Sequence, residues 1–409
     1  MFIHNLIISQ GCLVKGQLDS TVVLITGGGG GIGLEAARSL LWLGAKVVIA
    51  EIDKKKGMEA ERQLQKEFGS DKVCYFHADI SRENSIKRLY YQVIHKFGRV
   101  DAIINNATVA PTGAVHKVGI AAWDHSYKVN LRGPVLLTTY FLPDMLKRKS
   151  GCLVFVPSSG AAPYLGAYEI FKTSQVELCN TLAGELEKSG VHVFSIGPGI
   201  VKTETADAAI HEIAHLYGKS VDEFYKMSEK LLLTVEQAGA GFAASIALSD
   251  RYNGLEVSSI QALTDIGIHI EVNNVKEEIT LSENQKSIIL EMFALIKKTL
   301  EEQSEGWQSR PVFERQWVLR DFKKYTGFAP EHFIENNKYF EVKLQQNSLT
   351  KGDIEKLKLE KLHSYYLHQL VLLRDYEKNQ NKLQEYTEAI TSWISAIEEF
   401  NKYLEESWK

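Results

Sequence analysis

From Val22 the chain runs VVLIT straight into Gly27-Gly28-Gly29-Gly30-Gly31-Ile32-Gly33 and then into LEAARSLLWLG, whose apolar residues recur three and four apart. A β-branched run that ends in glycine and restarts as a helix leaves few folds open. Glycine serves three purposes there: a tight turn, close approach of the main chain to a pyrophosphate, and close packing of helix on strand. The helix N-terminus then faces the phosphates with its free N–H groups. Taken alone, such a loop is equally a flexible turn. The strand before it, the helix after it and an acidic residue closing the next strand turn the reading to a dinucleotide site.

The same alternation continues downstream. Strands are expected at 22–26, 46–51, 73–78, 101–106, 152–157 and 191–196, with a weaker run at 255–262, and helical-period segments such as SIKRLYYQVIHKFG lie between them. Short apolar strands separated by crossover helices define an α/β fold with a doubly wound, parallel, Rossmann-type sheet. Three regions follow: an N-terminal extension over 1–16, the Rossmann domain over 17–270, and a mostly α-helical C-terminal extension over 271–409. In that last third only Gly306, Gly327 and Gly352 remain of 30 glycines, and it holds four of six tryptophans. Leu383, Tyr386, Ile390, Trp393, Ile397, Phe400 and Leu404 form a heptad stripe that needs a partner helix. Leu357 to Tyr376, joined through Asn379-Gln380-Asn381, is the expected partner in a helical hairpin, and self-association through the stripe is the sharper alternative.

Charge narrows the function classes. Forty-seven Lys and Arg against 51 Asp and Glu give a net charge of −4, which supplies no global basic field for nucleic acid or an anionic membrane. Cys12, Cys74, Cys152 and Cys179 are widely spaced, with no CxxC pair for zinc and too few for a secreted disulfide scaffold. The opening MFIHNLIISQGCLVKG lacks a basic n-region, a long apolar core and a small-residue cleavage site. A cytoplasmic protein without a membrane span is expected.

Glu51, eighteen residues past Gly33, closes the second strand. A carboxylate at that place accepts hydrogen bonds from the adenosine ribose hydroxyls and repels a 2′-phosphate, which favours NAD over NADP. Lys54, Lys55 and Lys56 lie just beyond it, where they also suit the exposed face of a helix.

With these features in view, residues 17–265 resemble the short-chain dehydrogenase/reductase family. Thr26-Gly27, Gly31 and Gly33 match its TGxxxGxG loop, with Ile32 inside it; Asn105-Asn106-Ala107 matches its NNA motif, with Thr108 in place of the usual glycine. Asp79 stands where the family sets an Asp against the adenine amino group. Pro198-Gly199 and Thr203 resemble the PG-xxx-T stretch that closes over the nicotinamide carboxamide. The resemblance thus implies cofactor contacts from Gly27, Gly31, Ile32, Gly33, Glu51, Asp79, Asn106, Lys172, Pro198, Gly199 and Thr203.

It also implies a catalytic set of Asn130, Ser158, Tyr168 and Lys172. Tyr168-Glu169-Ile170-Phe171-Lys172 reproduces YxxxK, and the i, i+4 spacing puts phenol and ammonium on one helix face. Free tyrosine ionises near pH ~10, and a neighbouring cation together with oxidised nicotinamide would draw Tyr168 toward working pH as the acid/base. Asn130 matches the family's relay asparagine, which holds a water beside the lysine. Either Ser158 or Ser159 could be the serine that polarises the substrate oxygen. Ser158 precedes Tyr168 by ten residues, about three fewer than the family leaves, so the GAAPYLGA wall of the pocket is shortened. Tyr164 lacks a matching lysine and reads as a pocket wall or loop anchor.

The implied activity is an NAD(P)-dependent interconversion of a secondary alcohol and a ketone, needing no metal. HEIAH, at His211, Glu212 and His215, satisfies HExxH literally, but it falls in the family's variable substrate-binding helices without a third ligand, and helix surface or pocket is the better reading. A homodimer or homotetramer with a small-molecule substrate is expected, and the C-terminal helices are open to a protein partner. The alternative is a catalytically silent dinucleotide-binding scaffold or sensor that uses those helices to bind a protein.

Overall fold

The computed structural model describes residues 6–158, 162–227, 232–270, 281–310, 312–326, 330, 340–346, 349, 359–374 and 380–407. Ser159, the whole 271–280 segment that opens the expected C-terminal region, and Asn379 of the expected hairpin turn therefore lie outside the described residues. The chain divides into two compact units, Met1–Asn273 and Asn274–Lys409.

In the first unit β1 (Val22–Thr26), β2 (Lys46–Glu51), β3 (Val73–His77), β4 (Ala102–Asn105), β5 (Gly151–Phe155) and β6 (Val191–Gly197) alternate with α1 (Gly31–Trp42), α2 (Lys54–Phe68), α3 (Glu83–Phe97), α4 (Ile120–Tyr127), α5 (Gly133–Arg148) and α6 (Gly166–Glu185). After two short paired strands, β7 (Ile200–Val201) and β8 (Leu232–Leu233), and helices α7 (Glu204–Leu216), α8 (Val221–Met227) and α9 (Val235–Ala247), the sheet is completed by β9 (Glu256–Ser258). The seven strands lie in the order β3-β2-β1-β4-β5-β6-β9, all parallel. This is the doubly wound sheet expected.

Strand pleating explains why it is covered on both faces. Val23, Ile25, Val47, Ile49, Ile104 and Val154 point to one side, against α1, α2, α9 and α10 (Ser259–Asp265), while Leu24, Val48, Ile103, Leu153 and Phe155 point to the other, against α3, α5 and α6. Side chains of period two buried on both sides make each strand a continuous apolar run. Of the N-terminal stretch, Ile8 is fully buried in the first of these cores.

Two expectations need correction. The weak run at 255–262 is strand only through Ser258, whose hydroxyl accepts the Gln261 N–H and starts α10. The fourth and fifth strands also end sooner than read, at Asn105 and Phe155, because the residues beyond leave the ladder to form the loops of the site.

The second unit contains α11 (Glu283–Gln308), α12 (Val312–Thr326), α13 (Leu359–Arg374) and α14 (Gln380–Ser407) around a core of aliphatic and aromatic side chains. His363 bonds Glu398 at 2.9 Å and Tyr366 meets Trp393 with ring centroids 5.4 Å apart. Since the earlier residue on α13 meets the later one on α14, the two helices run antiparallel. The described part of the heptad stripe, Ile390, Trp393, Ile397, Phe400 and Leu404, belongs to this core, with Phe400 against Phe293 of α11. The described part of the stripe is thus covered within the second unit, as the hairpin reading expected.

Candidate active site

Strand order reverses between β1 and β4, so the loops at the carboxyl ends of these strands part and leave a crevice. Gly27 enters it with φ +66°, and a Cβ there would stand 2.9 Å from Ala107 Cα. At Gly33 a Cβ would lie 2.4 Å from the Gly27 carbonyl oxygen, so α1 can rest on the loop only as glycine. Asn106 fastens the turn from the other side. Its Nδ2 donates to the Thr26 and Gly27 carbonyls at 3.0 and 3.2 Å, and its N–H and that of Ala107 both donate to the Thr26 hydroxyl. The cap of α1, Gly30, offers no side-chain hydrogen bond to the first turn. Gly31 and Ile32 therefore open a helix whose N-terminal N–H groups face outward without a side-chain acceptor, which fits a pyrophosphate.

Glu51 accepts the Gly29 N–H at 3.2 Å and those of Ile52 and Asp53 at 2.8 and 3.0 Å, so its carboxylate is fixed beside the glycine loop. Asp79 follows β3 and accepts from Ser81, N–H and hydroxyl, and from Arg82. Beyond β6, Pro198 and Gly199 (φ +81°) turn the chain into β7, and Thr203 caps α7 by accepting the Ala206 N–H. A Cβ on Gly31 would come within 3.3 Å of Thr203 Cγ2, so this segment lies over the glycine loop. Across the same opening Lys56 Nζ meets Glu204 at 2.7 Å.

On α6 the buried positions step back through Leu186, Leu182, Cys179, Gln175, Lys172 and Glu169 at helical spacing. Lys172 is 1% exposed, and burial pushes its ammonium down to about 7, against which the Glu169 charge works. Ser158, just beyond β5, donates from Oγ to Glu169 Oε1 at 2.9 Å. The expected acidification of Tyr168 is not what these residues produce by themselves. Burial raises the phenol to about 12, the nearby Ser158 hydroxyl works against the rise, and the Glu169 charge adds to it.

Asn130 is fully buried in a π turn, Lys128–Arg132, between α4 and α5. Its Oδ1 accepts from Thr108 Oγ1 and the Val109 N–H, and its Nδ2 donates to the Val109 carbonyl and Ser126 Oγ. Its backbone carbonyl accepts from Gln175 of α6. The side chain thus ties the loop after β4 to the π turn, and Gln175 ties the turn to the helix that carries Lys172.

Three contributors escaped the sequence reading. Thr108, noted only as a missing glycine, supplies a hydroxyl to Asn130. Gln175 and Glu169 both lie on the buried stripe of α6, and stepping back from Leu182 by threes and fours would have found them. Tyr164 (φ +67°) anchors its loop, accepting the Gly113 N–H and meeting the Tyr217 ring edge-on. In HEIAH, His211 Nδ1 lies 2.8 Å from the Asp207 carbonyl and Glu212 accepts from Thr112. Among the described residues no three His, Cys, Asp or Glu side chains gather in a metal-binding group.

Residues 21–213 match the short chain dehydrogenase family. An uncharacterized oxidoreductase of Thermotoga maritima is 35% identical over 190 residues, 46% of this chain and 73% of the relative. The meso-2,3-butanediol dehydrogenase of Serratia marcescens is 32% identical over 208 residues, 50% of this chain and 81% of its own. Levodione reductase, at 24% identity and a TM-score of 0.55, shares the fold over 59% of this chain and 96% of its own. The chain belongs to the short-chain dehydrogenase/reductase family of oxidoreductases.

Proposed function

We propose that this chain interconverts a secondary alcohol and a ketone with NAD as the preferred coenzyme, Tyr168 serving as acid/base. The observation that carries the reading is the helix that presents Tyr168 with a buried Lys172 four residues on, and the Ser158 hydroxyl bonded to Glu169 on that same helix. Gly27, Gly31, Ile32 and Gly33 would hold the pyrophosphate, Glu51 the adenosine ribose, and Asp79 the adenine. Asn106 keeps the loop closed. Pro198, Gly199 and Thr203 would border the nicotinamide end, and Lys172 its ribose. When bound, the dinucleotide supplies the carbon that gives or takes the hydride.

The protein's own work is positional and protonic. Ser158 lies next to Tyr168 and would hold the substrate oxygen within reach of the phenol, the arrangement general acid–base transfer requires. Asn130, fixed by Thr108, Val109 and Ser126, would anchor the water path from Lys172 to solvent, with its carbonyl already held by Gln175. The preference for NAD rests on the Glu51 carboxylate, pinned by three N–H groups so that it cannot swing away from a 2′-phosphate. A homo-oligomer working in the cytoplasm completes the reading. Cys12, Cys74 and Cys152 form no disulfide, and among the described residues no helix is long and apolar enough to cross a membrane.

The test is direct. Purified full-length chain with NAD or NADP and a panel of secondary alcohols and ketones should show turnover at the nicotinamide absorbance, faster with NAD, and Tyr168→Phe should abolish it. Coenzyme binding without turnover across the panel would overturn the proposal.

A further inference from the structure

Lys56 and Glu204 lie 148 residues apart in the chain, yet Nζ of one meets Oε2 of the other at 2.7 Å. Neither side chain is buried, with 46% of the lysine and 83% of the glutamate open to solvent. An exposed pair of this kind adds little to stability, so its use must lie in its place. Lys56 stands in the first turn of α2, after the Asp53 cap, and Glu204 opens α7 directly after Thr203. Thr203 lies over Gly31, and Glu51 lies beside Gly29. The pair therefore joins the two banks of the glycine loop, with Glu51 at the foot of one of them.

The carboxylates around this ammonium are not equivalent. The bond to Glu204 holds Lys56 above the ordinary lysine value, slight burial opposes the rise, and the charges of Asp53 and Glu51 add to it. Asp53 already accepts the N–H groups of Lys55 and Lys56, and Glu51 those of Gly29, Ile52 and Asp53. Among the described residues the carboxylate that bonds the ammonium itself is that of Glu204. This matters for the adenosine ribose. A 2′-phosphate there is strongly anionic, and it is bound where a cation answers it and repelled where only carboxylates do. Lys56, within the field of Glu51, is the cation at hand.

We propose that Glu204 is a coenzyme-selecting residue: by taking the Lys56 ammonium it leaves a 2′-phosphate to face carboxylates without a cation, and so favours NAD over NADP. The inference rests on the NAD reading above and extends it from the second strand to the helix that follows β7. Selection then has two parts. Glu51 repels the phosphate, and Glu204 withdraws the group that would offset the repulsion. A rival use of Lys56 predicts something different. A lysine that reached the pyrophosphate would serve NAD and NADP alike, since both carry it, whereas a lysine released to a 2′-phosphate serves NADP alone.

Calorimetry of the full chain with NAD and with NADP decides between them. Glu204→Gln keeps the size of the side chain and removes its charge. It should tighten NADP about fivefold, the scale of one exposed ion pair, and move NAD by less than about twofold. Lys56→Met should bind NADP no more tightly than wild type, and the double variant Lys56→Met/Glu204→Gln should match Lys56→Met, because the gain needs the ammonium. Glu204→Ala repeats the test should Glu204→Gln not fold. Equal shifts for the two coenzymes, no shift for either, or a gain that persists without Lys56 overturns the proposal. The NAD reading fails by a different result, a wild type that binds NADP as tightly as NAD, and the shift in Glu204→Gln then still decides what Glu204 does. Binding is measured without turnover, so the oxidoreductase reading is judged apart from both.

Discussion

The two units bury their side chains by different means. In Met1–Asn273 the strands are apolar on both faces, yet polar groups such as Asn130, Lys172 and Glu169 are buried near the carboxyl edge of the sheet. In Asn274–Lys409 the core is built from Leu, Ile and Val side chains around the rings of Phe293, Trp307, Phe322, Phe340, Tyr365, Tyr366 and Phe400. Burying a polar or charged group costs free energy unless it is bonded, whereas burying a ring is favourable by itself. A fold tolerates the first arrangement where the buried groups do chemistry. In the second unit the buried polar side chains include Lys286, paired with Glu283, and Thr326, whose hydroxyl donates to the Phe322 carbonyl, so each is bonded within its own helix.

The contrast can be broken by substitution, and the largest effect belongs to the first unit. Tyr168→Phe should cut turnover by about 10²–10⁴-fold while calorimetry shows coenzyme affinity unchanged. Phe400→Ala, at a fully buried ring of the second unit, should cost about 3–5 kcal/mol in a denaturant titration. It should leave the pH profile of turnover in place, and a displaced profile would erase the distinction between the units. Gly33→Ala, whose new Cβ would meet the Gly27 carbonyl, should cost about 1–3 kcal/mol and weaken coenzyme binding more than Gly30→Ala, where a Cβ meets nothing within 4 Å.

A smaller effect should appear at Glu51. Its replacement by Ala should narrow the preference for NAD over NADP by about tenfold, equivalent to about 1.4 kcal/mol, in the ratio of kcat/KM values. A pH dependence of stability is also expected. Lys172 is lowered from 10.5 to about 7, so between those values the unfolded chain holds a proton that the folded chain has shed. Wild type should therefore gain stability relative to Lys172→Met as pH rises from about 7 to 10.5, measured by denaturant midpoints, and parallel curves would show that Lys172 does not titrate there.

Legibility in the sequence followed the same division. The strand, the glycines and the helix after them could be read because each rests on local backbone physics, and the doubly wound parallel sheet could be read from the βα alternation, though the order of its strands comes from the structure. The placing of Tyr168 and Lys172 one turn apart on a helix could also be read, because it follows from their spacing. The bonds among distant residues could not. Thr108 to Asn130, Gln175 to the Asn130 carbonyl and Ser158 to Glu169 join elements 11 to 45 residues apart, and spacing along the chain says nothing about such pairs. The phenol's rise instead of its fall came from the same source, since burial is a tertiary quantity. In the second unit the heptad stripe announced a partner helix, but only packing shows that α11 as well as α13 covers it.

Isotope transfer tests the central claim most directly. Full-length chain is mixed with a ketone and reduced NAD carrying deuterium at the transferring position of the nicotinamide, and the alcohol formed is examined by mass spectrometry. The account predicts one deuterium on the carbinol carbon with wild type, and loss of labelled product with Tyr168→Phe at equal coenzyme occupancy. Unlabelled alcohol from the wild type, or undiminished labelled alcohol from Tyr168→Phe, would contradict it.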